Sequence, residues 1–361
     1  MSELFNTLKF TFRPKITRQL RHLALGTLAL ALLLTACKDE NDAAQPPVPD
    51  VSGIKVNATF RRFDRDMFAI DTTHVMEGMA ALQTNYPAFL PFFITNIAHD
   101  PTLPQEKPED ALRGFITAPQ VRRLNDSCQV HFADLTEFQR DVADVLRYFK
   151  HYFPQRREPV TVTAVTEFIG DAFMVNDTTM MIGLDMFLGA NFEGYNPDIF
   201  PQYIRDQFTP KHMIIKYAFE LANNSIAPPA KDNVIDHVVR NGKVLYMMDC
   251  LLPNTPDSLL IGYTAEQLAG CFANEKGLWA RILDMKVLYE PLGTKNMKIV
   301  TAGPSTDNVF QEAPGQVGNW MGWQIVRAYM KRHPNTTFAE LNQLNDAQQF
   351  LEKAKYKPRG Q

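Results

Sequence analysis

The sequence predicts a single helix-rich α+β domain with a small antiparallel sheet, and three observations support that prediction. Helix-start patterns recur along the chain, with capping boxes of the Thr-x-x-Glu/Gln type at Thr136, Thr264 and Thr337. One region, residues 159–184, is instead rich in Val, Thr, Phe, Met and Ile, several of which favour strands. No internal repeat and no second linker interrupts the chain after residue 55. Helices and strands are therefore expected to share one core.

Residues 1–36 are predicted to be a lipoprotein signal peptide. Five basic residues precede an apolar run of about a dozen residues, Leu23 to Leu34, which is too short to span a bilayer as an uncleaved anchor helix. The run ends in Leu34-Thr35-Ala36-Cys37, the pattern of a lipobox. Cleavage before Cys37, a diacylglyceryl group on its thiol and an acyl chain such as palmitate on its amine would anchor the mature chain to a membrane.

Residues 37–54 are predicted to form a flexible tether, and residues 55–361 the globular domain. Lys38-Asp39-Glu40-Asn41-Asp42 is charged, and three prolines follow by Pro49. Such a composition cannot build a core. A lysine followed by acidic residues just after the lipid cysteine also resembles the surface-export signal of outer-membrane lipoproteins in gliding bacteria. The periplasmic face of the outer or inner membrane is favoured, and exposure on the cell surface stays open.

The charge balance argues against nucleic acid or anionic lipid as the main partner. Removing residues 1–36 takes away five of the 37 Lys and Arg residues and one of the 40 Asp and Glu residues, which leaves 32 basic and 39 acidic residues and a net charge of −7. Three cysteines remain besides Cys37, so at most one internal disulfide can form. A Cys250–Cys271 disulfide and buried free thiols, including Cys128, are both compatible with the sequence.

The first helix and the strands follow from local patterns. The capping box at Thr136 opens a helix with one apolar stripe, and Pro154 ends it. Residues 159–168 and 172–184 are predicted as antiparallel strands, and the turn-forming pair Asn176-Asp177 divides the second of them. A small sheet is therefore expected between two helical regions.

The later part of the domain is predicted to be helical. Thr209-Pro210 supplies an N-cap and a proline at the first helical position, which opens a helix through about Asn223. Gly318 and Gly322, four residues apart beside two tryptophans, indicate close helix packing in a soluble core. Further helices are predicted over residues 231–250, 264–288, 318–332 and 337–353.

Several stretches of the chain resemble the gliding-motility lipoproteins called GldB, and they occur in the same order as in that family. The resemblance implies an envelope lipoprotein that some relatives require for gliding, a process tied to type IX secretion, although the family also occurs in species that do not glide. It covers residues 37 to 358, including the ending Lys353 to Pro358. The stretches are Phe60-Arg61-Arg62-Phe63-Asp64, Tyr148-Phe149-Lys150-His151-Tyr152-Phe153-Pro154, Ile182-Gly183-Leu184-Asp185-Met186-Phe187-Leu188-Gly189, Asn241-Gly242-Lys243-Val244-Leu245-Tyr246 and Gly318-Asn319-Trp320-Met321-Gly322-Trp323-Gln324-Ile325-Val326.

The resemblance also implies an architecture similar to zinc peptidases of the gluzincin type. In those enzymes a strand pair precedes an HExxH helix, and a later helix supplies a third ligand. Two histidines four apart reach one zinc ion, and the glutamate between them is the general base. Here Phe219 and Asn223 stand at the histidine positions and Asn241 at the third, so that Glu220 alone is retained. Since Phe does not ligate zinc and a neutral Asn is a poor ligand, we predict no metal site, no cofactor and no catalytic residue.

Other chemistry has little support in the sequence. The mature histidines show no HxxxH or HxH spacing, which leaves His212 and His237 beside Glu220 as a combination that only the fold can bring together. No GxSxG, GxGxxG or Walker pattern occurs. Asp185 is a further suggestive carboxylate, either as a groove residue or as a group that fixes a turn.

These features predict a non-catalytic envelope lipoprotein, a pseudopeptidase anchored through Cys37. It is expected to support gliding motility or the type IX secretion apparatus by binding a protein of the envelope or of that machinery. Glu220 and Asp185 are the candidate groove residues. Two alternatives remain: a zinc metallopeptidase-like hydrolase, and a lipoprotein that binds a peptide or a glycan in the ancestral cleft.

Overall fold

The computed structural model describes residues 45–359 except for 104, 307–308 and 310–312. Cys37, the predicted signal peptide and residues 37–44 of the predicted tether lie outside the described residues. Residues 45–54 form neither helix nor strand, and Val51 among them is buried. The boundary between tether and domain at residue 55 stays a prediction. No helix in the described ranges has the length and apolar character needed to cross a membrane.

The described part of the chain folds into sixteen α-helices around four β-strands, which confirms the predicted helix-rich α+β class. The strands are β1 Phe60–Arg62, β2 Val160–Ala164, β3 Ala172–Asn176 and β4 Thr179–Gly183. The helices are α1 Phe63–Phe68, α2 Val75–Asn85, α3 Phe89–Phe93, α4 Pro108–Thr117, α5 Pro119–His131, α6 Thr136–Tyr152, α7 Gln202–Arg205, α8 Met213–Asn223, α9 Val234–Leu251, α10 Asp257–Ile261, α11 Ala265–Ala273, α12 Glu275–Asp284, α13 Gly293–Asn296, α14 Val317–Arg332, α15 Phe338–Gln343 and α16 Ala347–Ala354. Short 3₁₀ turns cover Leu184–Phe187, Pro210–His212 and Met297–Ile299, and a π-helical turn covers Ile94–Ala98.

The sheet is mixed, with the order β1-β2-β4-β3. The predicted antiparallel pairing holds for the β3–β4 hairpin, whereas β1–β2 and β2–β4 are parallel pairs. The difference has a topological reason. The chain reverses direction after β2 and again after β3, and β4 then inserts between them. It therefore runs in the same direction as its neighbour β2, and β3 is left at one edge of the sheet.

Helices cover both faces of the sheet, which explains why β4 is buried throughout and β2 is buried from Thr161 to Ala164, whichever face a side chain points to. Met181 of β4 belongs to a core formed with the N-terminal helices α1 to α4. Met180 and Ile182 of the same strand belong to the larger core formed with α6, α8 and α9. Neighbouring residues of β4 thus point to opposite faces, as the pleat of a strand requires.

Two of the three predicted capping boxes are confirmed. Thr264 and Thr337 accept hydrogen bonds from the backbone N–H groups of Gln267 and Glu340. The prediction at Thr136 is wrong, because Thr136 is the first residue of α6 rather than its N-cap. Its backbone N–H donates to Asp134 Oδ1 at 2.8 Å, so Asp134 takes the place that the side chain of Gln139 would have had in the predicted box.

Two helices predicted as continuous are each divided. Residues 264–288 form α11 and α12, and Asn274 between them turns its side-chain amide to the carbonyl of Gly270 at 2.9 Å. Residues 337–353 form α15 and α16, where Asp346 starts the second helix by accepting from the N–H of Gln349. Both breaks occur at short polar side chains that bond to the backbone and so compete with the helical pattern.

Helices α9 and α14 pack closely across two glycines, and this contact supports the site described below. A Cβ atom added to Gly322 would collide with the backbone carbonyl of Val238, and one added to Gly242 would collide with Gly322 itself. Further along the same pair of helices, Arg327 donates to Asp249 Oδ1 and Oδ2 at 2.8 Å. The predicted role of Gly322 in core helix packing agrees with this arrangement.

Candidate functional site

Helix α8 is fixed at its start by a histidine that serves a structural role. Thr209 Oγ1 and His212 Nδ1 lie 2.7 Å apart just before the helix begins. Burial, together with the nearby Lys211 and Lys216, lowers the pKa of His212 to about 4. His212 is therefore neutral at physiological pH and engaged in the turn that opens α8. Beyond it, Tyr217 and Leu221 are buried, whereas Phe219 is 39% exposed.

The three positions of the zinc-ligand register lie on two adjacent helices, α8 and α9. The polar side chains there are bonded to other protein groups. Asn223 Oδ1 accepts from Arg240 Nη1 at 2.7 Å, and the carbonyl of Asn223 accepts from Arg240 Nη2 at 2.9 Å. Asn241 Nδ2 donates to Asn319 Oδ1 at 2.9 Å. With Phe219 as the third member, this set does not fit a zinc ion, since two positions offer neutral amides and one offers a hydrocarbon ring.

Glu220 faces away from those three positions, toward the edge strand β3. Its carboxylate accepts from the backbone N–H of Met174 and from Asn224 Nδ2. Burial, together with the charge of Asp171, raises its pKa to about 7. Lys216 Nζ lies 3.1 Å from Asp171 Oδ2 and acts in the opposite direction on Glu220. The carboxylate is thus part of a contact between α8 and the sheet.

A cleft of about 340 Å³ opens between α8 and α9, within the size range of small-ligand sites. Phe219, Arg240 and Asn241 line it, so two of the three predicted register positions, Phe219 and Asn241, lie on its walls, and Asn223 does not. Side-chain amides cross one side in a hydrogen-bonded series: Asn319 Nδ2 donates to Gln316 Oε1 at 3.0 Å, and Gln316 Nε2 donates to the carbonyl of Ile261 at 2.9 Å.

The combination of His212, His237 and Glu220 is not formed as a metal site. His237 Nε2 lies 2.7 Å from Asp232 Oδ1, and His212 is held by Thr209. Within residues 45–359 and outside the undescribed positions, His, Cys, Asp and Glu side chains form no group of three or more that could hold a metal ion.

Asp185 lies in the 3₁₀ turn after β4 and is fully buried, away from the residues that line the cleft. It accepts from the backbone N–H groups of Thr166 at 2.8 Å and Phe168 at 2.7 Å. Burial raises its pKa to about 6 in spite of these bonds. The contacts hold a loop in which Glu167 and Phe168 both adopt positive φ angles of 55° and 64°. Asp185 thereby stabilises a strained turn.

The thiols of Cys128, Cys250 and Cys271 are all free and buried. The possible Cys250–Cys271 disulfide is therefore not formed. Burial raises the pKa of Cys271 to about 12, so its thiol is protonated and unreactive.

Sequence reasoning located Phe219, Glu220 and Asn241 but missed Arg240 and the amides of α14. Arg240 directly precedes Asn241, the third-ligand position. A basic side chain next to a position where zinc would bind is a signal that the sequence offered. The amides Gln316 and Asn319 had no such signal, because Asn319 is 78 residues from Asn241 in the chain and only the fold brings the two to the cleft.

A family model described as gliding motility protein GldB matches residues 44–358, nearly the whole described chain. Comparison with curated proteins and with solved structures gives no significant match. The order of hairpin, α8 and α9 is the order implied by the resemblance to zinc peptidases. The zincin-like part of the fold prediction nevertheless stays a prediction.

Proposed function

The chain belongs to the gliding motility protein GldB family, and on that premise we propose that it is a non-catalytic envelope protein that supports gliding or type IX secretion by binding a protein partner. The family is a lipoprotein family by its name, which indicates attachment to the envelope through lipid. We further propose that the lipid anchor lies in the outer or inner membrane and that the domain faces the periplasm.

The residues at and beside the predicted zinc-ligand positions support a role without catalysis. Arg240 binds both the side chain and the carbonyl of Asn223, and its guanidinium is thus a fixed cation beside the place where a gluzincin would bind zinc. A guanidinium neither activates water nor accepts a proton at neutral pH. The arrangement keeps a positive charge in the cleft and lacks the chemistry of a Lewis acid.

One observation favours the alternative of a hydrolase, and it concerns Glu220. A carboxyl group with a pKa of about 7 is suited to general base catalysis near neutral pH. Its bonds to Met174 and Asn224, however, direct the carboxylate toward β3 rather than into the cleft lining. We therefore assign it a structural role at the boundary of α8 and the sheet.

The experiment that separates these functions is complementation of a deletion strain by Glu220→Gln, combined with crosslinking of envelopes and recovery of the tagged protein. The proposal expects normal protein level, normal envelope phenotype and the same crosslinked partner as the unaltered protein. If Glu220→Gln accumulates normally but fails to complement, the hydrolase alternative replaces the proposal. Recovery of no crosslinked partner from wild-type envelopes would also overturn it.

A further inference from the structure

The cleft between α8 and α9 has one polar and one apolar end. Arg240 and Asn241 lie at the polar end. The residues of α9 that line the cleft continue from there to Met248. A helix rises 1.5 Å per residue, so Arg240 and Met248 are about 12 Å apart along the axis. Leu259 and Leu260 of α10 join Val244 and Leu245 of α9 as the other apolar side chains of the lining. Ile261 and Val300 also line the cleft, and their carbonyls accept from Gln316 and Asn319.

The charge of the cleft lining is positive. Among the described residues that line it, Lys216 and Arg240 are basic and none is Asp or Glu. Lys216 is paired with Asp171 outside the lining. Among the described residues, no carboxylate lies within ion-pair distance of Arg240, which makes three hydrogen bonds, to Asn223 and to the carbonyl of Ile226. Since a guanidinium carries five N–H donors, two of them have no partner among these residues.

Two amide groups of the cleft are also available to a ligand. Asn241 donates to Asn319, but its Oδ1 accepts no hydrogen bond from the described residues. The side chain of Gln207 lines the cleft next to Gly262 and has no hydrogen-bond partner among the described residues. An acceptor and a second amide beside a cation match the donors and acceptors of a peptide main chain.

We propose that this cleft binds the apolar carboxyl-terminal end of a partner polypeptide. The terminal carboxylate bonds to the free donors of Arg240, the last peptide group meets Asn241 and Gln207, and apolar side chains fill the end formed by Leu245 and Met248. The inference rests on the proposed function and specifies the chemistry of the partner.

Two features favour a chain terminus over other ligands. The cleft is bounded by α8, α9, α10, residues 300–302 and the start of α14, so a terminal residue enters it more readily than an internal acidic residue, whose chain must also leave. A glycan would leave the apolar end without a matching surface. A carboxyl terminus supplies the anion and the apolar side chains together within two residues.

The test uses the full-length lipoprotein in detergent and a fluorescein-labelled peptide library, Gly-Gly-Xaa-Xaa-Leu, in fluorescence polarisation. The library is made once with free carboxyl ends and once with carboxamide ends. Peptidoglycan-derived disaccharides serve as a competing probe. We expect the acid form to bind at least tenfold more tightly than the amide form, because the amide lacks the charge that Arg240 recognises.

Variants test the placement of the ligand. Arg240→Gln removes the cation, and Phe219→Glu adds a negative charge at a partly exposed position of the cleft. Both should abolish the preference for the acid form. Val130→Glu makes the same charge change at a side chain that is 83% exposed outside the cleft lining, and it should retain the preference. Thermal melts of each variant separate loss of binding from loss of folding.

Several results would overturn the inference: equal binding of acid and amide forms, binding of the disaccharides alone, no binding of any probe, or an unchanged preference in both cleft variants. The proposed function is judged separately. If the peptides fail to bind while crosslinking still recovers a partner from envelopes of the Arg240→Gln strain, the partner uses another surface and only the cleft assignment is lost.

Discussion

Glu220 shows how one buried carboxylate couples stability to pH. Its folded-state pKa of about 7 is raised from 4.5 by burial and by Asp171, with Lys216 opposing and Arg240 also within electrostatic reach. Because the folded protein holds this proton more tightly than the unfolded chain, the stabilisation is present below about pH 4.5 and is lost as pH rises through about 7. Ionised Glu220 is therefore a cost to the fold at neutral and alkaline pH.

Replacement of Glu220 by glutamine should remove that cost. Gln resembles the protonated acid and keeps an acceptor for the N–H of Met174. We expect Glu220→Gln to be more stable than the unaltered protein at pH 8 by on the order of 1–3 kcal/mol, with a smaller difference at pH 5. Urea unfolding followed by circular dichroism at the two pH values measures both differences.

The matched control is Glu137→Gln, at a side chain that is 84% exposed on α6. It should change the free energy of unfolding by less than about 0.5 kcal/mol at either pH. If Glu220→Gln is instead less stable than the parent protein at pH 8, the charged form of Glu220 contributes to the fold and the assigned direction of its pKa is wrong.

At the scale of elements, the contact of α9 with α14 depends on glycine because two backbones meet there. Gly322→Ala would place a methyl group against the carbonyl of Val238, and the two helices would have to separate. We expect a loss of about 1–3 kcal/mol in the free energy of unfolding. Lower protein abundance in cells should accompany it, measured by blot alongside thermal melts.

The control is a helical glycine with open space around it. A Cβ atom at Gly277 of α12 meets nothing within 4 Å, so Gly277→Ala should be neutral or stabilise by up to about 1 kcal/mol, in keeping with the helix propensity of alanine. Equal effects of the two substitutions would show that close approach at Gly322 does not limit the packing of α9 and α14.

The elements also show what sequence could and could not predict. Helix α11 was predicted from its threonine cap because that signal is local. The predicted start at Thr209-Pro210 is wrong by one turn, since Pro210–His212 is a 3₁₀ turn and α8 begins at Met213. The sheet order was not predicted, because pairing of β4 with β2 is a long-range choice that no local pattern encodes. No element was predicted for α1 to α5. Their buried residues form a core of aliphatic side chains and of aromatic rings that meet at Phe63, and these residues come together only in the folded chain.

The candidate site likewise has one part that local sequence patterns predict and one part that depends on long-range contacts. The register on α8 and α9 could be placed from spacing alone, and with it Phe219, Glu220 and Asn241. The cleft itself could not be predicted, since its lining combines α9, α10 and residues 300–302, and its amide series comes from Gln316 and Asn319 at the start of α14. A site assembled from four distant segments carries almost no signal in any one of them.

For the whole molecule, metal content tests the pseudopeptidase proposal. Because Phe219, Asn223 and Asn241 do not fit zinc, purified full-length protein should contain far less than one zinc ion per chain by elemental analysis. Addition of a strong chelator should leave the melting temperature unchanged. Stoichiometric zinc that a chelator removes with a fall in melting temperature would place a metal site elsewhere in the chain and would favour the hydrolase alternative.

The predicted attachment to the envelope depends on a residue outside the described part, Cys37, and the argument for it comes from sequence. If its thiol is the acceptor for the diacylglyceryl group, Cys37→Ala should give an uncleaved or soluble product without acyl chains. Labelling of cells with radioactive palmitate, followed by fractionation of membranes, measures both. Cys271→Ala is the control, because that thiol is buried in the domain and should leave labelling intact. Label that persists on Cys37→Ala at the level of the parent protein would contradict the lipobox assignment and would require another mode of attachment.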